Sequence, residues 1–544
     1  MKKILVIISL LFTISCASPQ YSSELIELAT EFAHNKEYDK ALEILDIHLG
    51  VYPKDAIAYL LRANICIDLD RYEDAIDNAK SSIRHSKKNG EEISSAYWLC
   101  SLANQYLGNY ERALDDAERA YQHIYLDDEY HKVLLAEILF SQADLYSILG
   151  NYAQSDTIYN RLQGMEVDEA RVINGRLENK ILRGNYYEAL DYVAQLREEG
   201  KKCETKEIYE KCAIVYATLG DMHKAIDNIL ISYGLDNSMP MLSDLVRSIT
   251  TEDIDYSIAV IQAWLEKDES VRMRVLLSEL YRENNEFIKA IEEMDVAEKE
   301  LGDWAMIKWH RAICLLCLGH LEESIVEHDN AMRYAEDYLQ NGILISRAMC
   351  YHYMGRFKDA ISDYDKYNVE ETKRINMYHH RGQCYEYMGE PTLAMQDYNT
   401  AMEFNKEDNH ALLSRAKLHL KCGNKELADA DFESLLQMDT IADPASVRHF
   451  ALLNVGQVEN AIMWINGIVD EWPSHKDALY NKACVYAATN QTRIALKCLQ
   501  DAIEAGYVNY ANIENDYYME QLRIVPEFKA LINKYKSKEN YRQK

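Results

Sequence analysis

Glycine and proline are scarce in this sequence, which has 20 Gly and 7 Pro among 544 residues. Average usage is roughly 7% and 5%, so the chain has few of the residues that tight turns and sheet corners need. An all-β or collagen-like protein is therefore excluded. Long apolar runs are also missing beyond the first dozen residues, which excludes a protein with several membrane-spanning helices.

Basic residues are few relative to acidic ones. The chain has 59 Lys and Arg against 89 Asp and Glu, and its formal net charge is −30. A surface with this charge repels the phosphate backbone of DNA and RNA. We therefore expect no nucleic-acid partner.

The N-terminus has the features of a signal peptide. Two lysines precede an uncharged apolar run at residues 4–12, which is too short to cross a membrane. Small or apolar residues directly before Cys16 resemble the lipobox of bacterial lipoproteins, which implies that residues 1–16 are a signal peptide and that Cys16 carries a lipid. Ordinary secretory cleavage after Ala17 is the alternative. We expect a lipid anchor in the outer membrane of the cell envelope. Because residues 17–20 contain no acidic cluster, we expect the protein to face the periplasm rather than the cell surface.

One short phrase recurs along the chain: Gly, a polar residue, an aromatic residue, two variable residues and Ala, as in residues 108–113 and 355–360. We call its closing residue the anchor, which is Ala in twelve copies and Ser in two. The residue twelve positions before the anchor is small in eleven of the fourteen copies, which supports the register independently. The anchors lie about 35 residues apart, at positions 41, 75, 113, 155, 189, 225, 259, 290, 324, 360, 394, 428, 461 and 495.

Each copy predicts a helical hairpin. The Gly ends a first helix because it adopts the left-handed conformation, and the polar residue beside it begins a second helix. Neither helix can bury its apolar face alone, so consecutive copies must stack. The small, aromatic and Ala positions resemble the tetratricopeptide repeat family over residues 22–508. The resemblance implies an all-α fold, a right-handed α-solenoid superhelix of about fourteen helix-turn-helix units, with a helical cap at residues 509–544.

The copy whose anchor is Ala259 departs most from the pattern. Arg247 stands at its small position, and Ile254 stands where most copies have Gly. A bulky charged group should disturb the packing of the two helices, so we expect a joint there that could act as a hinge. The predicted divisions are an N-terminal block of six repeats at 22–238, the degenerate repeat at 239–269 and a C-terminal block of seven repeats at 270–508.

Motifs that carry catalytic chemistry are absent. The repeats, signal peptide and cap account for nearly the whole chain, and no nucleotide-binding, hydrolase or metalloprotease motif occurs. Cys314-x-x-Cys317 has no second pair to complete a metal site. His379 and His380 would point about 100° apart on a helix. We therefore expect no enzymatic activity, no catalytic residue, no cofactor and no metal, and we interpret most cysteines as small core residues.

Four consecutive copies carry an Arg thirteen residues before the anchor and an acidic residue three after it. The Arg belongs to a first helix and the acid to the second helix that faces it. This spacing predicts ion pairs within hairpins, because a partly buried guanidinium needs a fork-shaped acceptor. An anion-binding Arg stripe is the alternative. The predicted pairs are Arg311 with Glu327, Arg347 with Asp363, Arg381 with Asp397, and Arg415 with Asp431.

In proteins that this array resembles, the first helices line a concave groove that binds extended peptides or helices of partner proteins. Aromatic side chains suit such contacts because they lose little entropy. Each candidate could instead pack between helices. The resemblance implies the groove candidates Trp98, Phe140, Trp309, Tyr353, His379, Gln383, Tyr387, His410 and Lys417.

Two functional hypotheses follow. The first is a non-enzymatic, lipid-anchored scaffold of the cell envelope that binds peptide or helical segments of partner proteins. The second is a glycan-binding lipoprotein of a nutrient-uptake system, because Trp98, Trp309 and the 40 Tyr could stack on sugars. Such proteins usually have long irregular loops, and the longest anchor interval is 42 residues, from Ala113 to Ser155. The pattern therefore favours the scaffold.

Overall fold

A computed structural model describes residues 20–542, apart from 88–89, 91, 125–128, 166, 202, 237–242, 368–375 and 439–440. The predicted signal peptide and Cys16 lie outside these residues. The described chain forms two compact units, which meet in sequence at Asp253 and Ile254.

The first unit contains thirteen helices among its described residues. They are α1 (Gln20–His34), α2 (Tyr38–Val51), α3 (Ala56–Asp68), α4 (Tyr72–His85), α5 (Glu92–Tyr106), α6 (Tyr110–Gln122), α7 (Glu129–Ile148), α8 (Tyr152–Gln163), α9 (Glu169–Leu182), α10 (Tyr186–Glu198), α11 (Lys206–Thr218), α12 (Met222–Leu235) and α13 (Asp244–Thr250).

The second unit contains eighteen α-helices and one short 3₁₀ helix, Tyr517–Met519, among its described residues. The α-helices are α14 (Ile254–Leu265), α15 (Val271–Glu283), α16 (Phe287–Leu301), α17 (Ala305–Leu318), α18 (Leu321–Tyr334), α19 (Asp337–Tyr353), α20 (Phe357–Lys366), α21 (Asn376–Tyr387), α22 (Pro391–Phe404), α23 (Asn409–Lys421), α24 (Lys425–Met438), α25 (Arg448–Asn454), α26 (Val458–Glu471), α27 (Lys476–Ala488), α28 (Thr492–Glu504), α29 (Tyr510–Asn515), α30 (Glu520–Arg523) and α31 (Pro526–Arg542).

Within each unit, consecutive helices pack as hairpins, and first helices of neighbouring hairpins also touch, as α3 and α5 do. No strand occurs in the part of the chain that the structure describes. The prediction of an all-α solenoid built from helix-turn-helix units is confirmed. None of the described helices is long and apolar enough to cross a membrane.

The turn between the two helices of a hairpin has one conformation throughout. In thirteen copies the residue five positions before the anchor has a positive φ. Most of these residues are glycines, such as Gly108 with φ 73°, but Lys36, Asp70, Asn285 and Asn490 adopt the same conformation. A side chain in this region costs about 1–2 kcal/mol, so the stacking of the hairpins outweighs a local preference at those four turns.

The small position brings the two helices of a hairpin together. Gly382 shows the effect most clearly, because a Cβ atom there would lie 2.7 Å from the ring of Tyr398. Ala348 and Ala416 hold the equivalent place in neighbouring hairpins and are fully buried. Close approach of the helices therefore depends on the size of this one residue.

The copy with anchor Ala259 is irregular in the structure as well. Its first helix, α13, has seven residues and ends at Thr250, and Arg247 at the small position is exposed rather than inserted between helices. Ile254 is not among the residues with positive φ. The predicted domain divisions, and motion at this copy, stay predictions.

Candidate functional site

The second unit holds a segment of its own chain against its first helices. We call residues 507–519 the tail segment; it contains α29 and the 3₁₀ helix. The hydroxyl of Tyr387 on α21 donates to Oδ1 of Asn512 at 2.8 Å, across 125 residues of sequence. Nδ2 of Asn454 on α25 donates to the hydroxyl of Tyr518 at 2.6 Å. Side chains from two separate hairpins therefore bind one polypeptide segment.

A charged pair and an aromatic stack complete this contact. Nζ of Lys417 on α23 lies 3.4 Å from a carboxylate oxygen of Asp516, and the two side chains are only 13% and 5% exposed. Burial by itself lowers the pKa of Lys417, but the carboxylates of Asp516 and Glu386 outweigh it and the pKa is raised. The ring of Phe450 stacks on Tyr518 with 4.5 Å between centroids. The lysine therefore stays charged, and the pair adds a charge-assisted hydrogen bond to the apolar contact.

The residues that hold the tail segment share two register positions. Tyr387 and Asn454 stand seven residues before their anchors, and Lys417 and Phe450 stand eleven before theirs. Residues four apart lie on the same face of a helix. We call these two positions of each first helix the groove positions.

A cavity of about 630 Å³ remains beside the tail segment in the second unit. Its walls come from α21, α23, α27 and the tail segment, and they include Gln383, His410 and Asp477. His379 also lines it, is buried and hydrogen-bonds through Nε2 to Oγ of Ser414 at 2.9 Å. Burial and the neighbouring charges of His380, His410 and Lys417 hold the pKa of His379 well below its usual value. No group of three or more His, Cys, Asp or Glu residues that could hold a metal is found among the described residues.

Comparisons with known proteins identify the repeat. Sequence models described as "Tetratricopeptide repeat" match residues 26–84 and 375–408. The chain contains tetratricopeptide repeats. It is also 29% identical over 83 residues to a chloroplastic protein of Arabidopsis thaliana, a match that covers 15% of this chain and 25% of that protein.

Solved structures also resemble this chain. A tetratricopeptide repeat protein from Parabacteroides merdae is 19% identical and has a TM-score of 0.35, covering 47% of this chain and 99% of that one. The Cut9–Hcn1 hetero-tetramer of the APC/C gives 14% identity and a TM-score of 0.34, with coverage of 93% and 96%. A human IFIT1 dimer with PPP-AAAA gives 15% and 0.35, with coverage of 80% and 94%.

Two of the predicted groove residues lie in the core of the repeats. Trp98 and Phe140 are 7% and 2% exposed and pack in the apolar clusters of the first unit, so they cannot contact a partner, and this corrects the expectation. The guanidinium of Arg171 covers the ring of Phe140 at 3.8 Å from its centroid. Both residues stand fifteen positions before their anchors, on a face of the first helix that turns toward the next hairpin.

The remaining candidates belong to the second unit. Trp309 is half-buried, donates from Nε1 to Oγ of Ser346 at 2.9 Å and lies against Gly342, where a Cβ would come within 2.5 Å of its ring. Tyr353 is half-buried on α19, and burial raises the pKa of its hydroxyl. Gln383, His410 and Lys417 line the cavity described above, and Tyr387 holds the tail segment.

The structure places all four predicted ion pairs of the repeats within hydrogen-bonding distance. Nε and Nη2 of Arg347 donate to the two carboxylate oxygens of Asp363 at 2.7 and 2.8 Å. Arg381 and Asp397 form the same bidentate pair at 2.8 and 2.7 Å. Arg415 with Asp431 is bidentate too, whereas Arg311 reaches Glu327 through Nη1 alone at 3.1 Å.

Each Arg also donates a hydrogen bond to the preceding hairpin, which the sequence analysis did not predict. Nη1 of Arg347 donates to Asp329 of the preceding hairpin at 2.6 Å, and Nη1 of Arg381 donates to Asp365 at 2.7 Å. These acids stand five residues after their own anchors, so the repeat register could have revealed them. The Arg residues therefore join hairpins to each other as well as closing each one.

Most cysteines of the repeats are buried thiols. Cys314, Cys350 and Cys384 are fully buried, and burial raises the pKa of each to about 12. A thiol with so high a pKa forms little thiolate near neutral pH and is a poor nucleophile. The described cysteines are free, Cys317 is half-buried and Cys422 is exposed.

Proposed function

We propose that this chain is a non-enzymatic scaffold of the bacterial cell envelope that binds segments of partner proteins. The observation that supports it best is the tail segment, since the groove positions of the second unit hold a piece of polypeptide through side-chain hydrogen bonds, a charged pair and a ring stack. The same positions recur in every hairpin. Tetratricopeptide repeats generally serve as protein-interaction scaffolds, which agrees with this reading.

Crosslinking in intact cells tests the scaffold. A photo-crosslinking amino acid placed at exposed first-helix positions, such as Ile214 on α11, should capture defined envelope proteins. The same amino acid at Tyr187, an exposed residue of a second helix, is the matched control and should capture fewer. Equal capture of abundant proteins at both positions would contradict the proposal.

We further propose that Cys16 carries the lipid that attaches the scaffold to the membrane, in the outer membrane and facing the periplasm. Replacing Cys16 with Ala removes the only sulfur that could accept the lipid at the end of the signal peptide, so the protein should leave the membrane fraction. Cys422→Ala changes an exposed thiol elsewhere and should leave fractionation unchanged. Unaltered sedimentation of the Cys16→Ala form would contradict lipidation, and cleavage after Ala17 would then be favoured.

The glycan-binding alternative has less support. Trp98 is buried, and Trp309 is half-buried and hydrogen-bonded. The aromatic rings beside the cavity of the second unit stack on one another, as Tyr480 and Tyr507 do at 4.2 Å between centroids. One face of each of these rings is thereby unavailable to a sugar. Binding of the purified chain to a glycan array would nevertheless revive this alternative.

A further inference from the structure

The first unit exposes large apolar side chains at one of its two groove positions. Seven residues before their anchors, three consecutive hairpins place Tyr106, Ile148 and Leu182, which are 57%, 53% and 48% exposed. Each side chain belongs to the last turn of a first helix, α5, α7 or α9. Three neighbouring repeats thus expose a large apolar side chain at one register position, and one face of the Tyr106 ring stacks on Tyr72 with 4.8 Å between centroids. Exposed apolar patches of this kind mark interaction sites.

The second groove position adds charge next to this stripe. Asp144 and Glu178 stand eleven residues before their anchors, one helical turn from Ile148 and Leu182, and Ile214 continues the row on α11 with 40% exposure. Asp144 is exposed and accepts a hydrogen bond from the hydroxyl of Tyr159 at 2.5 Å. Apolar side chains thus alternate with carboxylates along the groove.

Two cations lie on the same first helices and are already paired. Nη1 of Arg171 donates to both carboxylate oxygens of Glu137 at 3.0 and 2.9 Å. Lys211 pairs with Glu178, although burial lowers the pKa of this lysine. Among the described residues no cation forms an ion pair with Asp144, although the charges of Arg171 and Lys211 act on it and oppose the burial that raises its pKa. The three carboxylates Glu137, Asp144 and Glu178 outnumber these two cations. A partner that brings positive charge is therefore favoured over one that brings negative charge.

We propose that the groove of the first unit, defined by Tyr106, Ile148, Leu182, Asp144 and Glu178, binds an amphipathic segment of a partner protein that carries aliphatic and Lys or Arg side chains. This inference rests on the proposed scaffold function and specifies its partner. The tail segment of the second unit shows the mode of binding. The difference in ligand follows from the groove residues, because Ile148 and Leu182 offer no hydrogen bond where Tyr387 and Asn454 bind Asn512 and Tyr518.

The probe is a fluorescent peptide of about a dozen residues, with Leu on one helical face and Lys on the other. It is titrated into the full chain and followed by anisotropy. Two altered peptides, one with Glu in place of Lys and one with Ser in place of Leu, should each bind at least about tenfold more weakly. A third peptide with the sequence of residues 507–519 tests whether the site instead takes the tail of a second copy.

Variants of the chain locate the site. Ile148→Ser with Leu182→Ser should weaken binding of the Leu–Lys peptide at least about tenfold, because the apolar contact is lost. Asp144→Asn with Glu178→Gln should weaken it several-fold and reduce its salt dependence. Both pairs change groove positions, and the Ser pair changes side chains that are about half exposed, so the fold should be kept; circular dichroism checks this.

A matched control removes two exposed carboxylates from α10, the second helix of the hairpin that contains Glu178. Asp191→Asn with Glu198→Gln on α10 removes the same number of negative charges and should leave the dissociation constant within about twofold. Equal loss in control and groove variants would mean that the acidic surface attracts the peptide without a site, and would overturn the proposal. Equal binding of the Glu-containing peptide, or tighter binding of the 507–519 peptide, would also overturn it.

The two proposals fail in different ways. If crosslinks to defined proteins form but map to first helices of the second unit, the scaffold function stands and the groove assignment is wrong. If no specific protein is captured at any position, the scaffold function itself is wrong, whatever the synthetic peptide does.

Discussion

Acidification from pH 7 to pH 5 should destabilise the second unit by at least about 6 kcal/mol, because three fully buried imidazoles contribute about 2 kcal/mol each and His379, whose pKa is also lowered, adds to them. His328, His352 and His449 are at most 1% exposed. Burial lowers the pKa of His328 to about 4 and those of His352 and His449 to about 3. Neither ring nitrogen of His352 or His449 has a hydrogen-bond partner among the residues that the structure describes. A proton on either ring would therefore bring an unpaired charge into the core.

The direction follows from proton binding in the two states. In the unfolded chain these imidazoles titrate near pH 6.5, whereas in the folded unit they stay neutral until about pH 3–4. Below pH 6.5 the unfolded state therefore binds more protons, and stability falls by about 1.4 kcal/mol per pH unit for each residue, or about 2 kcal/mol at pH 5.

A carboxylate adds a second acid transition at lower pH. Burial raises the pKa of Glu279, but the charges of His310 and Arg282 outweigh it and lower the pKa to about 2. Its contribution to stability is present above pH 4.5 and is lost as the pH falls toward 2. The imidazoles alone therefore govern the range between pH 6.5 and 5.

Tryptophan fluorescence measures this effect, because five of the six Trp residues belong to the second unit. Urea titrations at pH 7, 6 and 5 should give falling midpoints. His352→Phe removes one buried titrating ring at similar volume and should reduce the loss between pH 7 and 5 by about 2 kcal/mol. His123→Asn, an exposed imidazole of the first unit, is the control. A His352→Phe chain with unchanged pH dependence would show that this ring does not carry the effect.

The four ion pairs within hairpins, from Arg311–Glu327 to Arg415–Asp431, form a ladder, and loss of one of its Arg residues should be the costliest single change at an ion pair. Arg381→Ala leaves the carboxylate of Asp397, which is only 5% exposed, without its two hydrogen bonds, and also releases Asp365 of the neighbouring hairpin. We expect unfolding to become easier by about 3 kcal/mol. The double variant Arg381→Ala with Asp397→Asn should be less destabilised than the sum of the single changes, because it buries no unpaired charge.

An exposed pair in the neighbouring hairpin is the control for this cycle. Nε of Arg356 donates to Asp359 at 2.8 Å, and both side chains are about half exposed. Arg356→Ala should cost less than about 1 kcal/mol, because water screens the pair. Urea denaturation of the single and double variants gives both coupling energies. A coupling near zero for Arg381 and Asp397 would mean that the ladder does not stabilise the repeats, and an anion site would again be considered.

The repeat register made much of the fold predictable. A left-handed residue follows every regular first helix at one place, even where it is Lys36 or Asp70 rather than Gly, because stacking fixes the backbone. The ion pairs within hairpins were predictable for the same reason, since Arg347 and Asp363 sit at fixed distances from one anchor.

The contacts between distant repeats could not be predicted from the period. Periodicity describes a hairpin and its neighbours, whereas Tyr387 and Asn512 are 125 residues apart. The period also does not show whether a residue at a given position lines the groove or packs in the core. Trp98 and Phe140 were predicted to line the groove, yet both rings pack between hairpins. A large ring fifteen residues before the anchor reaches the first helix of the next hairpin.

The second unit cannot complete its contacts until the tail segment has been synthesised. At roughly 5–20 residues per second, about 6–25 s separate the appearance of Tyr387 from that of Asn512. During this interval α21 can already form its hairpin with α22, while Tyr387 and Lys417 still face water. The last contacts of the unit therefore close only when nearly the whole chain has been made, and a chain truncated before residue 507 would keep that surface open.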